Sequence, residues 1–373
     1  MNLIKNIIIV SLVAVFAFAE FGELSLDDLD KGGGSLSIIS VGGKNVLNMN
    51  MARDFGLGDF KLGLGLNIVI PEAERPSGLN FLEFRYVEYD NKLFGVRYGL
   101  LSGVNYGYGL IMDNYNSAPG ITYFDQSKAG FKAYTTAYKP FGVYGMLTNS
   151  QLMGARLTYD LADAPVINKP IVLGGSYVRD ANGVISGNQT YNENANAYEI
   201  DLGVNIIEKF LDTYVEFGNL SNGSSGWSTG FKFYLGEGFN IKTEFRSFGK
   251  NFVPGFFNSK YESFPVNLAT YTSKATTGYF LGLDYSLLPL GMISVGYTAY
   301  KDEEAAFKGS VIFKEVMGYT GIISYEKYVF LPTPYEVHGT IIYKLTAYTS
   351  AVVDIIKVGD ADPTYTTSIK MNF

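Results

Sequence analysis

The chain has 373 residues, a net charge of −7, one histidine and no cysteine. No block of basic residues is present to neutralise a phosphate backbone, and the lack of thiols excludes disulfide staples, thiolate metal sites and a cysteine nucleophile. Charged residues make up 17% and aromatics 15%, nearly all of the latter from 29 Tyr and 27 Phe, which suits strands that meet an apolar medium on one face better than it suits helices.

The N-terminus reads as an export signal. Lys5 supplies the positive charge, Ile7 to Phe16 is an apolar stretch broken only by Ser11, and Ala17-Phe18-Ala19 places small residues where a signal peptidase inspects them. The apolar part falls short of the ~20 residues that a spanning helix needs, which argues for cleavage after Ala19 over an uncleaved anchor. Removing Lys5 takes the formal charge from −7 to −8. Residues 20–34 form a short acidic, Gly-rich extension, with Asp27, Asp28 and Asp30 ahead of Gly32-Gly33-Gly34. Carboxylates are oxygen ligands for calcium, yet this spacing matches no EF-hand loop, so a solvated leader on a hinge is the reading kept.

From Ser35 onward the dominant signal is period two. In KLGLGLNIVI, Leu62, Leu64, Leu66, Ile68 and Ile70 alternate with Gly63, Gly65, Asn67 and Val69. YEIDLGVNI sets Tyr198, Ile200, Leu202 and Val204 against Glu199, Asp201, Gly203 and Asn205, and WSTGFKFYL and FNIKTEFRSF repeat the pattern. Each is a strand with one apolar face. No segment is a run of 18 apolar residues, so spanning helices are excluded.

Connections between these runs alternate short and long. Asp90-Asn91, Lys139-Pro140, Gly236-Glu237-Gly238 and Leu288-Pro289 are tight turns, whereas 104–128, 181–197 and 250–275 are long; Asp360-Ala361-Asp362 reads separately as a turn between the last two strands. Strands running up and down in order would put the long segments on one rim and the tight turns on the other, as in a membrane barrel with long outer loops. The tally is about 20 strands; the hairpins Ser35 to Arg53 and Ala306 to Tyr328 are weak, which gives a range of about 16–20 with 18 favoured. A large soluble β-sandwich or β-helix is the rival, and it explains neither the aromatic content nor the rim asymmetry.

The last stretch, YTTSIKMNF, puts Tyr365, Thr367, Ile369, Met371 and Phe373 on one side of a strand. With the export signal and the alternating strands, this ending resembles the bacterial outer-membrane β-barrel class over residues 35–373. The resemblance implies an antiparallel up-and-down transmembrane β-barrel in the bacterial outer membrane, with Phe373 as the assembly signal read by the barrel-assembly machinery. It also implies contact with membrane lipid and, by likeness to porins, a homo-oligomer. YGYGLIMDNYN and FVPGFFNSKYE are similar to segments of uncharacterised predicted outer-membrane proteins, which implies location without an activity.

In such a barrel the residues out of phase with the apolar face line the lumen. They are Glu83, Arg85, Arg97, Arg156, Glu199, Asp201, Glu216, Lys232, Lys242, Glu244, Arg246, Asp284, Glu336, His338 and Lys344. The segment 104–128 carries Tyr108, Leu110, Ile111, Met112 and Tyr115, too apolar for a loop in water. It is expected either to fold into the mouth as a constriction or to pack on neighbouring loops. The segment 250–275, with Phe252, Phe256, Phe257, Tyr261 and Phe264, poses the same choice and would line an aromatic entry.

Enzymatic chemistry has little support: His338 alternates with Glu336 and Thr340 on the lumen side, away from lipid substrate, and no GxSxG elbow occurs. The sequence thus predicts a porin-like channel for passive diffusion of small hydrophilic solutes, with no cofactor, no metal and no nucleic-acid partner. A plugged structural or surface-interaction barrel and a substrate-specific channel are the alternatives. The acidic net charge tilts the expected ion preference toward cations.

Overall fold

In the computed structural model, the described residues are 32–41, 44–70, 82–117, 129–161, 170–186, 189–236, 238–262, 265–287, 290–316, 319–327, 335–346 and 349–371. The signal sequence, most of the acidic extension, Phe264 and Phe373 lie outside them. Among the described residues twenty strands form one antiparallel sheet. Each pairs with the next along the chain, apart from short strands inside the long loops. The first strand, Gly32–Val41, pairs with the last, Thr364–Met371, from Gly34 opposite Met371 to Ile38 opposite Thr367. The sheet therefore closes on itself as an up-and-down barrel, and every strand has two neighbours.

The strand number lies at the upper end of the expected range, above the favoured 18. Both weak hairpins are formed: Gly32 to Val41 pairs with Lys44 to Arg53, and Ala306–Val316 pairs with Tyr319–Lys327 across a bulge between Phe313 and Val316. The first strand begins at Gly32, so the glycine triplet read as a hinge faces Met51, Ala52 and Arg53 in the ladder. The rim asymmetry is less regular than expected. The connection 161–170 is on the rim of the tight turns, and the loop rim also carries the short turns 149–151 and 221–224.

Polarity across the wall is the reverse of a soluble protein's. On the strand Asn196–Ile207, Tyr198 and Ile200 are 50% and 59% exposed while Glu199 and Asp201 are 1% and 4% exposed. Leu157, Leu173, Val215, Phe217, Phe231, Leu281, Val311 and Ile323 are likewise exposed on the outer face. Aromatic pairs cluster beside the tight-turn rim: Phe141 with Tyr159, Phe210 with Phe233, Phe239 with Tyr285, and Tyr319 with Tyr343. An apolar outer band with an aromatic girdle and a charged interior is the architecture of a barrel that crosses a bilayer, where closure leaves no backbone group unpaired.

The barrel also has an interior core. Leu101, Tyr106, Leu110, Ile111, Met112 and Tyr115 from one loop meet Phe252, Val253, Phe256, Phe257 and Tyr261 from another, on a floor of wall residues Met146, Leu152, Val178 and Leu220.

Candidate functional site

The loop after the strand Phe94–Leu100 turns inward because its neck is closed and its tip is caught. At the neck, the Leu101 and Ser117 backbones are joined by the Ser117 N–H bond to the Leu101 carbonyl, and the Leu101 N–H donates to Ser117 Oγ. Beyond it, Val104–Tyr106 and Met112–Tyr115 form a short antiparallel hairpin, and Phe257–Asn258 of the second loop adds a parallel strand against Met112 and Asp113. At the tip, Gly107 and Gly109 take positive φ angles of 58° and 104°, a turn that side chains disfavour.

Wall carboxylates hold this tip. Glu216 Oε2 accepts from the Tyr108 N–H at 3.0 Å and the Leu110 N–H at 3.4 Å, and its Oε1 accepts from Ser228 Oγ at 2.7 Å. Glu199 Oε2 accepts from the Ile111 N–H at 3.1 Å. Lys242 Nζ donates to the Tyr108 carbonyl, and the Tyr108 ring stacks on Tyr214 with centroids 3.9 Å apart. Burial, then the nearby Asp201 carboxylate, pushes the Tyr108 hydroxyl up to about 12. Glycines on the inner wall make room for the loop. A Cβ at Gly154 would meet Tyr106, at Gly218 Ile111 and Leu110, at Gly203 the Tyr108 hydroxyl, and at Gly226 Phe252.

The second loop, 249–275, lies across the mouth. Tyr261 OH donates to Asp180 Oδ2 at 2.8 Å on one side, and Lys260 Nζ bonds Glu336 Oε2 at 2.7 Å on the other. Tyr115 OH of the first loop donates to Glu262 at 2.6 Å, and burial followed by that carboxylate holds the Tyr115 hydroxyl well above the ordinary phenol range. The third loop joins through Asn192, whose side chain bonds the Val266 carbonyl and the Leu268 N–H. The first loop thus both enters the lumen and packs on its neighbours.

The expected lumen residues fall into separate groups. Arg156 makes a bidentate pair with Asp201 at 2.5 and 2.9 Å and stands 4.0 Å from Glu199. Arg97 pairs with Glu88 at 2.8 Å and lies over the Tyr86 ring. Glu244 receives Lys242 at 2.7 Å, and also Arg246 and the Tyr214 hydroxyl. Lys232 lies 4.8 Å from the Tyr108 ring centre. The His338 ring lies 3.4 Å from Thr340 Oγ1, the His338 carbonyl accepts from Ser324 Oγ at 3.4 Å, and Lys344 is exposed near the tight-turn rim. Glu83 stands opposite Gly65 in the register, and its side chain lies outside the described residues.

Simple alternation fails at Arg85. Arg85 is itself the extra residue of a bulge, set between Phe84 opposite Leu64 and Tyr86 opposite Gly63, so that Glu88 and Asp90, unlike Arg85 in parity, continue the inner face. Lys132, opposite Arg97, and Phe280, Lys308 and Glu326 are also inward positions that sequence reading passed over. Strict counting from either neighbour finds the last three.

The loop fills the lumen on the side of the strands from Phe94 to Phe248. On the other side, a cavity of about 630 Å³ remains between the loops, with Tyr108 and Asp113 of the first and Lys260 of the second, and the wall, with Arg246, Phe280, Asp284, Lys308 and Glu336. Among the described residues no set of three His, Asp or Glu side chains groups as metal ligands. The arrangement can pass or hold a small polar solute.

No family model matches the sequence, and no curated protein does. Solved structures similar to it include Wzi of Escherichia coli, a carbohydrate-binding outer-membrane β-barrel involved in Group 1 capsule assembly. It is 9% identical over 94% of this chain and 86% of that one, with a TM-score of 0.43. OccK8 (OprE) of Pseudomonas aeruginosa is 9% identical, with 92% and 96% covered and a TM-score of 0.42. OpdQ of the same species is 9% identical, with 92% and 95% covered and a TM-score of 0.40. The functional reading rests on the residues of this chain: a closed antiparallel barrel, apolar outside, whose lumen is packed on one side and open on the other.

Proposed function

We propose that the protein is an outer-membrane channel through which small hydrophilic solutes diffuse passively. The observation that carries this reading is the polar cavity of about 630 Å³ left between the inward loop and the far wall. Barrels of 16 or more strands have room for a water-filled path, and inward loops set its width. Here the loop is fixed by Glu199, Glu216 and Lys242, so the path is confined to the arc of strands from Phe239 to Lys344. Selectivity then arises from charges lining that arc. Export through a cleaved signal peptide, assembly by the barrel-assembly machinery and porin-like oligomerisation belong to the same reading.

Single-channel recording of the refolded mature chain in a planar bilayer tests it. Discrete conductance steps, with swelling of solute-loaded liposomes, are the expected result. A folded chain that gives neither overturns the channel.

One observation favours a second reading, a barrel that acts through its outer loops. The loops share a buried core and are bound to the wall on both sides, through Asp180 and Glu336. That reading predicts a silent bilayer and a protease-resistant outer surface.

A further inference from the structure

The net charge of −7 points to cations, but the wall of the open cavity has its own balance. Phe280 stands on the inner face, opposite Glu244 on one neighbouring strand and Thr298 on the other. Three cations surround its ring: Arg246 Cζ at 4.6 Å, Lys242 Nζ at 5.7 Å and Lys308 Nζ at 5.8 Å from the centroid. The one carboxylate paired with this group is Glu244, which takes both Lys242 and Arg246. Lys308 makes no ion pair among the described residues, although Glu326 stands opposite it in the register.

Two glycines bring these groups flat against the wall. A Cβ at Gly282 would meet the Phe280 ring at 2.9 Å, and one at Gly296 would meet the Lys308 stem at 2.7 Å. Lys242, Gly282, Gly296 and Lys308 share one row of the ladder. Three positive charges against one negative charge, around an aromatic ring, favour an anion that also has an apolar part. Asp113, Glu216, Asp284, Glu326 and Glu336 line the same cavity, with Lys260 and Lys327, so the excess of cations is confined to the surroundings of the Phe280 ring. Asp284 is one inward step from Gly282 toward the tight-turn rim, and Glu326 faces Lys308 across the ladder.

We propose that Lys242, Arg246, Lys308 and Phe280 form a subsite for a small organic anion with an apolar body. The anionic group would sit among the three cations and the apolar body beside the ring. As a step on a solute path this rests on the channel reading, while binding itself does not.

The folded protein in detergent micelles is titrated calorimetrically with benzoate, with acetate and benzylammonium as controls. Saturable binding of benzoate, weaker binding of acetate and none of benzylammonium are expected. Lys308→Gln and Phe280→Ala each weaken benzoate binding about tenfold, and Lys308→Arg retains it. Heat-dependent gel migration checks that each variant is folded. The subsite is overturned if benzoate binds no better than benzylammonium, or if folded Lys308→Gln binds as the parent does. In bilayers, added benzoate is expected to lower the current. Benzoate binding by a silent protein overturns the channel and leaves the subsite; conductance without benzoate binding does the opposite.

Discussion

Lys260 and Glu336, 76 residues apart, meet at 2.7 Å where the loop between Phe239–Phe248 and Thr276–Leu287 reaches the strand Tyr335–Lys344. Both side chains are about one-fifth exposed, at 22% and 20%, so the pair contributes at most about 1 kcal/mol to stability. Its larger effect is on position. Lys260→Met is expected to leave folding intact and to raise the mean conductance with more frequent current fluctuations, read in single-channel traces.

Glu216 holds the tip of the inward loop through two backbone N–H groups and Ser228. Glu216→Leu leaves those donors without their acceptor and weakens loop docking by about 2–4 kcal/mol. Cleavage within the loop by added protease, together with a larger conductance, is the expected result. Glu216→Gln keeps an acceptor oxygen and should lie between the two.

Gly107 has a φ of 58°, and a Cβ there would fall on the Glu199 carboxylate. Gly107→Val is expected to expel the tip at a cost of about 1–3 kcal/mol. The temperature at which the barrel loses its compact gel mobility should drop little, because the wall is unchanged, while protease sensitivity of the loop rises.

The membrane reading is tested on the outer face. Leu281 is exposed there at mid-strand, and Leu281→Arg should destabilise the barrel in lipid by about 2–4 kcal/mol. Ser310 lines the cavity from the opposite face, and Ser310→Arg should cost less than about 1 kcal/mol while reducing conductance. Urea titrations in liposomes compare the two; equal costs would remove the distinction between lipid and lumen faces.

Much of the wall was legible in the sequence because a barrel writes its two environments into alternate residues. From Arg156 to Lys344 the charged residues named by alternation share one parity along each paired strand. The phase was lost at Arg85, where a bulge adds a residue that leaves no mark in hydrophobicity. The two hairpins Ser35 to Arg53 and Ala306 to Tyr328 are weak in sequence because glycines and short polar residues blur alternation, yet strands pair in both. The inward course of the loop was foreshadowed by its apolar content, but its partners Glu199 and Glu216 were not, since those contacts join residues about 100 positions apart. Glycines at inner positions, Gly154, Gly203 and Gly218 among them, were the unread clue to where it docks.

The one-sided filling of the lumen also has a mechanical meaning. Strands from Phe94 to Phe248 are backed by a packed interior that resists bending. Among the described residues the arc from Thr276 to Val358 adds only Tyr300 to that interior, so it behaves as an arch, whose span sets the width of the cavity beside it. Lys260, held to Glu336, is the strut under that arch. Lateral pressure from the surrounding bilayer would then narrow or widen the passage chiefly by flexing this arc against its strut.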